Sequence, residues 1–184
     1  MAKLLICMAD GLEEVEALTT VDLVRRGGIE MDMVSISDKK EVTGAHNITI
    51  LNDKFMSEIN LEDYDGIVLP GGMPGTNHLR DDANVIAAVK KFAAEKKLVA
   101  AICAAPTVLG YAGILEGKNA TCYPGMEDGL LGASKKTDEV VCDGNIITSR
   151  GVGTAIAFAL SLVSYFTDEK TAESLGKSIV YKAN

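Results

Sequence analysis

Short apolar runs alternate along the chain with longer stretches in which apolar residues recur at helical spacing. Residues 3–9 (K-L-L-I-C-M-A) form one unbroken apolar run, as a strand covered on both faces would. Leu12, Val15, Leu18 and Val21 then fall on one predicted helical face, and Gly27-Gly28 ends that helix. Residues 29–36 alternate and predict a strand, and residues 41–55 predict a small β excursion around Gly44. Residues 64–72 (Y-D-G-I-V-L-P-G-G) give a second buried strand stopped by Pro70 and two glycines. A helix over 84–97 leads to a third buried strand, L-V-A-A-I-C, at 98–103. Pro106 opens the next predicted helix, which runs to about Leu115. Residues 138–149 read as a hairpin turning at Asp143-Gly144. The strongly apolar segment 153–166 predicts a helix capped on its far side by Thr167-Asp168.

Strands alternating with helices of this length predict an α/β fold. The expected architecture is a flavodoxin-like, doubly wound, mostly parallel sheet sandwiched by helices, with a small β-hairpin. Neither repeat nor linker interrupts the 184 residues, so a single domain over 1–184 is expected. Working groups in such folds collect beyond the C-terminal ends of the strands.

Composition narrows the partners. Hydrophobic residues make up 47%, enough for a packed core. Eighteen basic against 26 acidic side chains leave a net charge of −8, which disfavours a phosphate backbone and so nucleic acid. Apolar runs all fall short of the roughly 20 residues of a membrane span. The apolar start is followed at once by Asp10, Glu13 and Glu14, so it reads as a strand rather than a signal peptide. Cys7, Cys103, Cys122 and Cys142 show no C-x-x-C spacing, which predicts free thiols in a reducing compartment, the cytoplasm.

Four predicted strand ends carry candidate chemistry. Cys103 closes the third buried strand between Ala101 and Ala105, and two readings fit it. One is a buried structural thiol; the other is a nucleophile on a tight strand-to-helix turn, where small neighbours are required and helix amides starting at about Ala104 favour the thiolate. Gly71-Gly72 could bring bare amides to an oxyanion or form a plain turn, and the plain turn is the simpler reading. Glu13, Glu14 and Glu16 suit a first helical turn by charge alone, and they argue against a phosphate or flavin cradle there. Arg150 could bind an anion or pair with an acid. His46 and His78 read as surface residues, Cys7 and Cys142 as structural thiols inside strands, and Cys122 carries no sign of activation.

Together M-A-D-G-L-E-E-V-E, V-L-P-G-G, A-A-I-C-A-A-P and T-S-R-G-V-G-T stand in the order and spacing of the DJ/ThiJ/PfpI superfamily, which the chain resembles from about residue 3 to beyond Thr154. The resemblance implies that Cys103 is the oxidisable, nucleophilic elbow cysteine and that Glu16 contacts its sulfur as a protonated carboxyl. It implies an oxyanion pocket from the amides of Gly72 and Ala104. Gly71, Tyr123, Arg150, Arg26 and His46 would lie near the pocket or a dimer boundary. A homodimer without metal or organic cofactor is expected. Two departures stand out. Ala104 occupies the place of the histidine that follows the cysteine in protease-type relatives, and neither His46 nor His78 matches a catalytic base, so peptidase and glutaminase mechanisms lose their base. Tyr123 stands where several relatives carry a pocket histidine. The implied activity is glyoxalase or deglycase chemistry on methylglyoxal-type dicarbonyls or early glycation adducts. The alternative is a non-enzymatic oxidative-stress sensor or redox-regulated chaperone. A thiamine-pathway role finds no thiazole or phosphate site among these residues.

Overall fold

In the computed structural model, which describes residues 1–181, the elements run in chain order as follows. β1 (Lys3–Met8), α1 (Glu14–Arg26) and β2 (Glu30–Ser35) come first, then a hairpin of β3 (Glu41–Thr43) and β4 (Thr49–Leu51), and β5 (Lys54–Phe55). β6 (Gly66–Leu69), α2 (Gly75–Asp81), α3 (Ala83–Ala94), β7 (Leu98–Ile102) and α4 (Pro106–Tyr111) follow. β8 (Asn119–Ala120), β9 (Ser134–Lys135), β10 (Val140–Asp143), β11 (Ile146–Ser149), α5 (Ala155–Phe166) and α6 (Glu169–Ser178) complete the described chain.

Seven strands make one sheet in the order β10-β11-β7-β6-β1-β2-β5, parallel throughout except where β10 returns against β11. The three unbroken apolar runs are its central strands β1, β6 and β7. Alternate residues of each face opposite layers. Leu5, Cys7, Ile67, Leu69, Val99 and Ala101 pack with Val89 and Phe92 of α3 and Leu109 of α4. Leu4, Ile6, Val68, Ala100 and Ile102 pack with Val21 and Val24 of α1 and Phe158 and Leu162 of α5. Strands so placed need no polar face. The registers Ile6 with Val68, Val68 with Ala100 and Ser149 with Ile102 bring the C-terminal ends of β1, β6, β7 and β11 to one edge.

Four expectations are corrected. Val15 and Leu18 do not face the core; they are 49% and 38% exposed, while Glu14, Glu16, Ala17, Thr20 and Val21 turn inward. The orientation of α1 follows the partners of its acidic residues, described below. Thr167 does close α5, its hydroxyl donating to the Val163 carbonyl, but the Asp168 carboxylate accepts from the Thr171 amide at 2.7 Å and caps α6, a helix the pattern did not predict. α4 is a short helix that stops at Tyr111. Cys142 lies exposed on β10, the edge strand of the sheet among the described residues. Among the described residues, no helix is long and apolar enough to cross a membrane.

Candidate active site

β7 ends at Ile102, and the next residue, Cys103, bends sharply with φ = +65°. A side chain in this left-handed region costs about 1–3 kcal/mol, so the surroundings must hold it. They do so from two sides: the Cys103 amide donates to the Ser149 carbonyl at 3.0 Å, and its carbonyl accepts from the Tyr123 amide at 2.7 Å. Ala101 and Ala105 are fully buried on either side.

Gly71 makes the approach possible. A Cβ there would stand 2.5 Å from Cys103 Cβ, 3.0 Å from its Sγ and 2.6 Å from Glu16 Oε2. Gly72 has φ = +91°, and a Cβ on it would run into the backbone nitrogen of Glu13. Stripped of side chains, this turn presents backbone amides instead. Gly71 donates to Glu16 Oε2 at 2.9 Å, and the amides of Gly72 and Ala104 pull the Cys103 thiol down. Amides so placed favour negative charge at the elbow.

Glu16, in the first turn of α1, is fully buried. Burial pushes its carboxyl up to about 7, and the charge of Glu13 adds to the rise; hydrogen bonds from Cys103 and Gly71 oppose it. Oε1 of Glu16 is buried without a hydrogen-bond partner. Burial also pushes the half-buried Cys103 thiol up, to about 12, as do the charge of Glu16 and the hydrogen bond to it, against the pull of the Gly72 and Ala104 amides. Helix amides alone therefore do not make this thiol acidic. The two groups compete for one proton. When Glu16 carries it, the repulsion disappears and the carboxyl can donate to sulfur, so the thiolate belongs with the protonated carboxyl.

An open cleft of about 480 Å³ lies over this pair. Glu13, Glu16 and Cys103 form its base, with Tyr123 and Pro124 on one wall and Arg150 to Thr154 on the other. Thr154 Oγ1 pins the second wall, accepting from the Gly151 amide at 3.1 Å and lying 2.7 Å from the Ser149 hydroxyl. Among the described residues Arg150 pairs with no acid; its guanidinium donates to the Thr137 carbonyl at 2.7 Å.

His46 sits at the tip of the β3–β4 hairpin and meets α1. Its Nδ1 lies 2.8 Å from Glu14 Oε2, and its amide donates to Glu14 Oε1 at 2.7 Å. Burial works to raise the Glu14 carboxyl, but these hydrogen bonds prevail and hold it below the usual carboxylate range. The bond to Glu14 in turn raises His46. Ligand atoms of Glu13, Glu14 and His46 all lie within 4.8 Å of one another, the grouping a metal ion would need. Yet Glu13 Oε2 already accepts from the Glu16 amide, Glu14 is taken by His46, and the cluster sits at the positive end of α1, so it suits charge pairing better than a cation.

The remaining candidates separate from the site. Arg26 lies on α1 ten residues, about 15 Å, beyond Glu16, ion-paired with Asp22 at 2.8 Å. His78 is on α2, its Nδ1 2.8 Å from the Asp10 carbonyl oxygen. Cys7 and Cys122 are buried, and burial pushes the Cys122 thiol up to about 11.

With the elbow, the carboxyl and the amides in place, comparison with known proteins agrees with the resemblance: the model of the DJ-1/PfpI family matches residues 2–165. The chain belongs to the DJ-1/PfpI family. It is 36% identical over 184 residues to Protein DJ-1 homolog B of Arabidopsis thaliana, covering 99% of this chain but 42% of that protein, so it spans less than half of that relative. A Pyrococcus abyssi protein named a deglycase is 34% identical over 163 residues, 88% of this chain and 97% of its own. The solved structure of Toxoplasma gondii DJ-1, described as oxidized, superposes with a TM-score of 0.95 at 35% identity, covering both chains completely.

Two parts of the site in this DJ-1/PfpI chain escaped the sequence. Glu13 lines the cleft and caps α1, although glutamate is a poor helix cap and gives little signal. Glu14 and His46 are joined across 32 residues, a distance at which no local pattern speaks.

Proposed function

We propose that this protein is a cofactor-independent enzyme acting on methylglyoxal-type dicarbonyls or early glycation adducts. One observation carries the reading: a strained, half-buried cysteine sulfur faces two backbone amides and a buried carboxyl that holds its proton near neutrality. The Cys103 thiolate adds to the aldehyde carbon, forming a C–S bond, and the former carbonyl oxygen is stabilised by the amides of Gly72 and Ala104. Glu16 supplies a proton to that oxygen, then as carboxylate takes the proton from the same carbon and returns it to the neighbouring one. The aldehyde carbon is thereby oxidised and the ketone carbon reduced within one molecule. Water cleaves the resulting thioester, regenerates the thiol and releases a 2-hydroxy acid, lactate from methylglyoxal. A carboxyl poised near 7 suits such a relay. The related P. abyssi protein named a deglycase supports the same class.

The test is lactate formation from methylglyoxal. Wild type turns over; Cys103→Ser does not, and Glu16→Gln loses about 10²–10⁴-fold, the usual share of a positioned acid–base group. A wild type without turnover overturns the reading.

A second reading, an oxidative-stress sensor, is favoured by the same accessible sulfur, whose amide cradle would hold a sulfinate, and by the oxidized state of the similar T. gondii structure. Intact mass after mild peroxide should show two oxygens on Cys103; a resistant Cys103 sinks it. We further propose a cytoplasmic homodimer, supported by the free thiols and by the outward Val15 and Leu18. Sedimentation of Leu18→Asp beside wild type tests the dimer.

A further inference from the structure

Glu13 has two attachments that no role above uses. As the cap of α1, its Oε2 accepts from the Glu16 amide at 2.7 Å, fixing the backbone that carries the Glu16 carboxyl. Its Oε1 lies 3.9 Å from His46 Nδ1, and its side chain reaches the base of the cleft. The segment bearing it is clamped from both sides. The Glu13 amide donates to the Gly71 carbonyl at 2.9 Å, and on the hairpin side the Ala45 amide donates to the Leu12 carbonyl at 2.8 Å. Glu13 is thus tied to the amide cradle on one flank and to the hairpin on the other. The charged and titratable groups around it are Glu14 and Glu16 on α1, His46 on the hairpin, Cys103 at the elbow, and Tyr123 and Arg150 across the cleft.

We propose that Glu13 is a positioning residue for the Cys103–Glu16 pair, holding a negative charge beside the Glu16 carboxyl that shifts the shared proton toward carboxyl and away from sulfur, with His46 as the counter-charge that moderates it. Glu13 Oε2 accepts from the Glu16 amide, so its charge stands at the turn that carries the Glu16 carboxyl and strengthens that carboxyl's hold on its proton. It therefore favours protonated carboxyl with thiolate over carboxylate with thiol. A protonated His46 weakens that bias. This inference rests on proton sharing between Glu16 and Cys103.

The experiment is the pH profile of Cys103 alkylation by iodoacetamide. Glu13→Gln keeps an oxygen to cap the helix but removes the charge; its rate at pH 7 should fall about three- to tenfold, the effect of half to one pK unit. His46→Asn, at an exposed side chain, should move the rate the other way below the pH at which His46 loses its proton, with thermal unfolding checking that the variant is folded. Glu13→Gln superimposing on wild type, while Glu16→Gln collapses the profile, reduces Glu13 to a helix cap and overturns the proposal alone. A Glu16→Gln profile that matches wild type overturns both this inference and the proton-sharing site beneath it.

Discussion

Cys7 and Cys103 belong to the same sheet and to the same kind of apolar run, and they differ in almost everything else. Cys7 lies inside β1, wholly buried, its thiol pushed far up by burial and then by the charge of Asp82. Cys103 stands one residue past the end of β7, where the backbone turns left-handed and the sulfur meets amides and a carboxyl. Moving a thiol one residue beyond a strand end takes it from a packed interior to a cleft lined by amides and a carboxyl. Residue type contributes little to that difference; position at the edge contributes nearly all of it.

The comparison can be broken or sharpened in three ways, from the largest effect down. The first uses pH. The Glu16 carboxyl beside Cys103 sits at about 7 in the fold against 4.5 ordinarily, so the folded chain binds more protons than the unfolded one between those values. Its contribution to stability is complete below about 4.5 and is lost as pH rises through 7, a decline of about 3 kcal/mol. Urea unfolding at pH 5 and pH 8 should show the decline in wild type and lose it in Glu16→Gln; equal slopes would mean that the elbow has no proton of its own. The second is steric. Gly71→Ala forces a methyl against Cys103 Cβ and Glu16 Oε2 and should cost about 1–3 kcal/mol in thermal unfolding while slowing Cys103 alkylation. Normal alkylation there would show that the close approach is dispensable. The third is the control. Cys7→Ala should cost about 1 kcal/mol and leave Cys103 alkylation untouched. A change in that rate would couple the two cysteines and undo the contrast.

Much of this was legible in the chain, for identifiable reasons. The runs around Ile6, Val68 and Ala100 announce central parallel strands because both their faces are dry, and strand ends in such a sheet locate Cys103, Gly71-Gly72 and Arg150 together. α6 was illegible because E-K-T-A-E-S-L-G-K-S buries little more than Ala172 and Gly176, too narrow a stripe to stand out. The facing of α1 was misread because its apolar Val15 and Leu18 point outward while Glu14 and Glu16 are drawn in by His46, Gly71 and Cys103. Hydrophobic pattern ranks residues by their dislike of water, and here specific partners outweigh that dislike. Gly71 was visible as a glycine, but the two groups it makes room for come from 55 residues before it and 32 after it, which only the fold brings together.

The elbow's own hydrogen bond to Ser149 has a consequence for biosynthesis. Strand β11 is made nearly fifty residues after the cysteine it braces, and it seats beside β7 only once it has left the ribosome. Until then the nascent chain carries an unbraced thiol with one cleft wall missing. The elbow and its cleft are thus assembled late, when β11 has paired with β7 and the Ser149 carbonyl can take the Cys103 amide.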